Sequence, residues 1–574
     1  MACREQMLSN DYMEILLDYT SPYIDELYPE NCIEVIDNEF IVVLVERSLL
    51  PPISISTFTY TSIPKLYGLM QETVTPAQGN FDPLSLIRTG ILQVQRPPLS
   101  LTGRGVIIGF IDTGIQYDLQ VFRREDGTSR ILAIWDQTIQ DGTPPEGFSY
   151  GTLYTNEQIN EALQSDDPLS IVPTTDTIGH GTAMASVAAG SNINFGLTFL
   201  GAAPDADIVV VKCREAKQYL LDYYFVPEGV PAYSGTDIAM AVKYLDSFAV
   251  AGIRPVVMCI GMGTNLGDHA GNSLLSRYLS RIAEKRSRAV VVCGGNEGNA
   301  EHHYGSSITM SSRMVVEVVE VRVDAQEIGF VMELWGSPPN LFSVALRSPG
   351  GEVIPAIDFR SRTTRSFSFI YERTKVTVDH ILVEQVTGEE VVVFRFEAPT
   401  PGVWTFNIVI EGDSDYSEIN MWLPITQFLQ GNTNFLRSTP YTTLTEPSLA
   451  YNVITPSTYD DSNDSFYIES GRGFARGREA KPDFAAPGVN VSTVLGDRTG
   501  SSMSAAITAG ASAQFMQWAV VEGNQPLVQS TQLKTYFMRG ARRDMEVLYP
   551  NRSWGYGQLD IERTFRIIAG TIGG

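Results

Sequence analysis

The sequence predicts a doubly wound α/β fold on a mostly parallel sheet, preceded by a small α/β unit and interrupted by an inserted β-sandwich. Three observations predict it. Short apolar runs recur at 105–112 (GVIIGFID), 207–213 (DIVVVKC), 255–260 (PVVMCI) and 289–293 (AVVVC). Helical patterns lie between them, and from 311 to 423 the periodicity changes to alternation.

The four runs lack polar alternation and are each under ten residues, which suits strands covered on both faces rather than buried helices. Residues 235–252 place Ile238, Ala241, Val242 and Leu245 on one helical face, and 274–286 read similarly. Strand–helix–strand order of this kind defines an α/β domain. In the block 311–423, runs such as MVVEVVEVRV and GVWTFNIVI alternate and are punctuated by Pro and Gly. That pattern suits antiparallel strands with one buried face. Apolar runs then resume, ending in a predicted helix at 504–522. The first eighty residues hold two β-like runs joined by an Asp-Asn turn (32–46), a helical stretch expected at 11–18, and a linker of turn formers at 73–80. The expected units are therefore 1–78, 79–310, an insertion at 311–437, and 438–574.

Composition removes whole classes of function. A balance of 41 Lys+Arg against 66 Asp+Glu gives a net charge of −25. It excludes a sequence-independent nucleic-acid binder and docking on anionic lipid through basic residues, so no nucleic-acid or membrane partner is expected. A hydrophobic content of 43% suffices for packed cores. The first thirty residues lack both a basic start and a long apolar stretch, and no run approaches the ~18–20 residues of a membrane span. No signal peptide is expected, and synthesis in the cytoplasm follows. The five cysteines are scattered without a C-x-x-C pair. They predict buried free thiols, not disulfides or a zinc site, in a reducing compartment.

Four residues could carry chemistry. Asp112 ends the run GVIIGFI, where parallel sheets place functional groups, although a turn or cap Asp has the same signature. His180 sits in GHGT before the small-residue run AMASVAAG, in a setting that a structural His would share. Ser502, in GSSMS, lies where a helix begins; a serine there is an N-cap or a nucleophile beside backbone N–H groups. Asn296, in GNEG after AVVVC, is a turn residue or an amide donor.

Together, in the order Asp…His…Ser and in the contexts IDTG, GHGT and GSSMS, these residues resemble the subtilisin-like serine proteases, the subtilases. LGAAPDADIVVVK and KPDFAAPG extend the likeness over 82–310 and 438–568. The resemblance implies a subtilisin-like fold with Asp112, His180 and Ser502 as triad and no cofactor. The Asn296 amide and the Ser502 backbone N–H would be the oxyanion donors, and Ile260, Gly261, Met262 and Gly263 one wall of the substrate cleft. It also implies that 1–78 is a prodomain, with self-cleavage at Gln78–Gly79. Ala506 and Ile507 stand where the family has Pro and His, and Ser501 where it has Thr.

The prodomain, the insertion between the Asn and Ser motifs, and the missing signal peptide resemble the Csp germination proteases of spore-forming Clostridia. That likeness implies a jelly-roll insertion, retention in the spore, a bound cleaved prodomain and a pro-form cortex hydrolase as protein substrate. The alternative is a pseudoprotease or prodomain-inhibited scaffold; the complete triad favours the enzyme. No metal site is expected: the Asp-rich turns at 165–167 and 460–464 read as solvated, with structural calcium the alternative, and His302-His303 reads as a surface loop.

Overall fold

The computed structural model describes residues 3–18, 31–70, 72–76, 81–191, 199–252, 254–357, 362–477 and 479–571. Its central sheet has the order Arg288–Val292, Val256–Ile260, Ile107–Asp112, Asp207–Lys212, Ile131–Asp136, Thr152–Thr155. The first five strands are parallel and only Thr152–Thr155 runs antiparallel. Both faces are covered, as the unbroken apolar runs require. Ile108 and Phe110 of the central strand enter one core with Ala183 and Ala509, whereas Ile107 and Ile111 enter another with Ile238, Leu245 and Leu279. Helices His180–Ala189 and Ser501–Met516 thus lie on one face, and Gly235–Gly252 and Leu274–Ala283 on the other.

The first pair of helices packs closely because its contact residues are small. A Cβ at Gly510 would lie 2.9 Å from the Ala188 carbonyl oxygen. The helix expected at 504–522 begins earlier, at Ser501, and passes at Gln517–Val521 into a π-helical turn. This shift puts Ser502 in the first helical turn.

The insertion is a two-sheet sandwich. One sheet has the order His303–Thr309, Tyr416–Trp422, Gly329–Gly336, Glu390–Glu397, Lys375–Ile381, Arg362–Ser368. The other has the order Val353–Ile357, Leu341–Arg347, Gly402–Glu411, Met314–Val323, Asn434–Phe435. His303–Thr309 pairs along its full length with Tyr416–Trp422, so the sandwich starts before residue 311, where the change in composition had placed it. One buried face per strand was expected. The second sheet obeys this, with Met314, Val316 and Val318 exposed, but Gly329–Gly336 is buried throughout. The outer face of the first sheet docks on the rest of the molecule through Val331, Trp335, Val391 and Trp422.

In the N-terminal unit, residues 12–18 form a strand, Tyr12–Asp18, not the expected helix. Seven register pairs to Phe40–Glu46 override its local helical pattern. Ile33–Val35 adds the third strand, completing the expected hairpin. Cys3 and Cys32 are joined in a disulfide with 5.0 Å between Cα atoms, a correction to the free-thiol expectation. Helix Cys3–Leu8 folding back on the sheet brings them together, which sequence spacing did not signal. Cys213, Cys259 and Cys293 are buried free thiols, as expected. No helix among the described residues is long and apolar enough to cross a membrane.

Candidate active site

Three elements converge at the carboxyl edge of the central sheet. Asp112 is the last residue of Ile107–Asp112, His180 opens helix His180–Ala189, and Ser502 lies in the first turn of Ser501–Met516. The His180 Nδ1 lies 2.7 Å from Asp112 Oδ1, and its Nε2 lies 2.9 Å from Ser502 Oγ. All three are at most 2% exposed.

Glycines make this approach possible. A Cβ at Gly181 would sit 2.3 Å from the Gly114 carbonyl oxygen, and one at Gly261 would sit 2.7 Å from both Asp112 Oδ2 and His180 Cε1. Gly179, at φ +80°, turns the chain into the helix. Asp176, missed in the sequence reading, caps that helix: its Oδ1 accepts from Gly179 N (2.7 Å) and its Oδ2 from Thr182 N (2.9 Å). A carboxylate shortly before GHGT was the available signal.

Asn296 follows strand Arg288–Val292 and accepts from Ser501 N through Oδ1 at 3.0 Å. Only the amide oxygen can accept, so the Nδ2 branch faces the other way. The N–H of Ser502 belongs to the first helical turn, where no intrahelical acceptor exists.

Ile260 ends a central strand, and the chain continues through Gly261 into Met262–Gly263. Here the N-terminal unit enters the site. Its segment Leu66–Leu69 pairs antiparallel with Met262–Gly263 on one side and with Ala232–Ser234 on the other. Met70 is buried beside Thr445, with its Sδ 4.0 Å from Thr445 Oγ1. Beyond the triad, Thr73–Thr75 pairs with Gly496–Thr499. The described segments ending at Met70 and resuming at Glu72 therefore flank the triad, and Gln71 lies outside the described residues. Gln78 and Gly79 lie outside the described residues.

Glu72 was not anticipated from sequence. Its Oε1 is 3.3 Å from His180 Nε2 and its Oε2 is 2.8 Å from Arg498 Nη1. Burial acts to raise the Glu72 pKa, but His180 and Arg498 outweigh it and hold the carboxyl below its ordinary range. Burial likewise acts to lower the His180 pKa, yet Asp112 and Glu72 flank the ring and raise it well above the usual imidazole value. Both carboxylates thus favour the protonated ring.

The remaining candidates separate from this site. His302 and His303 are buried, not in a surface loop: His302 Nδ1 lies 2.7 Å from Glu297 Oε2, and His303 stacks on Trp422. In the Asp-rich turn at 460–464, Asp460 accepts from Ser462 N (2.9 Å) and Asp464 pairs with Arg542 (3.0 Å).

A buried Asp–His–Ser line at the carboxyl edge of a doubly wound sheet, beside a helix N-terminus, defines a serine-peptidase type of centre. The subtilase family model matches residues 103–381 and 428–557, and the chain belongs to this family of serine endopeptidases. Its fold is similar to that of the Clostridium perfringens CspB protease, at 29% identity and a TM-score of 0.75 over 85% of this chain and 98% of that one. Two subtilisin-like proteases of Arabidopsis thaliana match more locally. SBT1.9 is 29% identical over 133 residues, covering 20% of this chain and 17% of the relative. SBT3.5 is 29% identical over 178 residues, covering 28% and 21%. The chain thus spans about a fifth of the length of these curated relatives.

Proposed function

We propose that the chain is an active, self-processing serine endopeptidase with Asp112, His180 and Ser502 as its triad. The continuous line of contacts from Asp112 through His180 to Ser502, directly under an extended segment of the same chain, carries this reading. Ser502 attacks a peptide carbonyl while His180 takes its proton and then passes it to the leaving amine. Asp112 holds the Nδ1–H tautomer and stabilises the charged ring. The Asn296 amide and the Ser502 N–H receive the oxyanion. Water then repeats the sequence on the acyl-enzyme.

Residues 1–70 or 1–71 act as the prodomain. We put self-cleavage between Met70 and Glu72, upstream of the Gln78–Gly79 bond expected from sequence; the strand pairing of Leu66–Leu69 with Met262–Gly263 and of Thr73–Thr75 with Gly496–Thr499 supports this reading. The linker composition pointed to 73–80, but occupancy of a cleft by strand pairing needs an extended, partly apolar segment, which 66–70 (LYGLM) supplies. The insertion is read as a jelly roll, supported by its two packed sheets and by the repeated passage of the chain from one sheet to the other.

The likeness to CspB supports a place in spore germination, with the pro-form of a cortex hydrolase as substrate. A self-cleaved chain kept silent by its own prodomain is the second reading, favoured by the buried Glu14–Arg214 and Tyr60–Glu333 contacts that hold the N-terminal unit in place. N-terminal sequencing and intact mass test the first reading: the purified wild type should start at Gln71 or Glu72. A mass equal to that of Ser502→Ala would refute self-processing. Mixing the protein with a pro-form cortex hydrolase tests the substrate; an unshortened band on a gel would reject it.

A further inference from the structure

We propose that Arg498 is a specificity-determining residue that selects an acidic side chain just after the scissile bond. The inference deepens the endopeptidase reading and rests on it. Arg498 belongs to strand Gly496–Thr499, which pairs with the segment leaving the triad and runs directly into the Ser502 helix. Its side chain is only 8% exposed, and it meets Glu72 at 2.8 Å. Among the described residues, Glu72 is its one ion-pair partner, and its Nε is buried without a hydrogen-bond partner. The neighbouring Asp497 carboxylate accepts instead from Ser492 Oγ at 3.0 Å.

The pocket is shaped around the guanidinium. Gly179, the residue before His180, forms its wall: a Cβ there would lie 3.2 Å from Arg498 Nη2 and 2.9 Å from Leu495 Cδ1. The carboxylate that neutralises Arg498 comes from the peptide lying in the cleft, not from the catalytic unit. Once that peptide leaves, a desolvated cation remains beside the triad. A substrate with Asp or Glu at this place restores the pair, a neutral residue leaves it unsatisfied, and a basic residue adds repulsion. With cleavage put between Met70 and Glu72, the acidic residue is the first or second after the cleaved bond.

A pulse of cell-free translation of the full chain, followed as the fraction converted to the short form, tests this. Glu72→Lys should slow conversion at least about tenfold, Arg498→Glu should do likewise, and the double variant should recover most of the wild-type rate. Glu72→Lys converting as fast as wild type, or a double variant as slow as either single one, would overturn the proposal. Arg498→Glu is also melted, and Glu72→Lys, which leaves the catalytic unit intact, reports independently if that variant does not fold. Cleavage that is normal in every variant removes only the role of Arg498. A wild type with the mass of Ser502→Ala removes the endopeptidase reading and this inference with it.

Discussion

Each reacting residue is set by neighbours that are themselves tightly held. Asn296 accepts from Ser501 N, so its amide is oriented before any substrate arrives. Asn296→Ala should lower the self-processing rate by about 10²–10³, the loss measured on removing such a donor in subtilisin, while the thermal melt stays near wild type. Glu72 adds a pH dependence. With carboxylates on both sides, His180 stays protonated above its ordinary pKa and cannot act as a base until the pH exceeds the raised value. The stabilisation from this ion pair is complete below the ordinary imidazole pKa and is lost as pH rises through the raised one. Glu72→Gln removes one carboxylate, so the midpoint of its processing-rate profile should move to lower pH, whatever its plateau. A midpoint that stays put would show that Glu72 does not control the ring.

Elements meet at this site only where a missing side chain lets them. The His180 helix reaches the end of the Asp112 strand because Gly181 leaves room for the Gly114 carbonyl, at 2.3 Å from where a Cβ would stand. That neighbour is backbone and cannot swing away. Gly181→Ala should cost roughly 1–3 kcal/mol in a denaturant melt and slow self-processing by more than about tenfold, since a helix displaced by an ångström breaks the His180–Asp112 contact. The motifs IDTG, GHGT and GSSMS are legible in sequence because each combines a reactive side chain with the small residues its element needs. Asp176 escaped notice because a capping carboxylate looks like any loop acid. Glu72 and Arg498 escaped it because their meaning lies in pairing across more than four hundred residues.

For the whole molecule, the N-terminal unit is held by buried charges. Glu14 is fully buried and pairs with Arg214 at 3.0 Å, and Arg214 in turn pairs with Asp237 at 2.9 Å. From the sandwich, Glu333 accepts from Tyr60 Oη at 2.7 Å, so the insertion grips the same unit from the other side. Breaking a buried pair on one side costs about 3–5 kcal/mol. Glu14→Gln should therefore loosen the cleaved N-terminal piece: it would separate on a sizing column where the wild-type piece co-elutes, and cleavage of a peptide substrate would rise. Co-elution unchanged from wild type would place the grip elsewhere. By itself, the chain of amino acids determined the doubly wound sheet, the inserted sandwich, the Asp–His–Ser order and the helix behind the serine, since strand burial, alternation and motif spacing are local properties. Only the tertiary structure decided which stretch lies in the cleft, which acid faces His180, that Cys3 meets Cys32, and that the strand Gly329–Gly336 of the sandwich is buried on both sides. Those depend on surfaces meeting from distant parts of the chain, and no local pattern encodes the partner that a buried group will find.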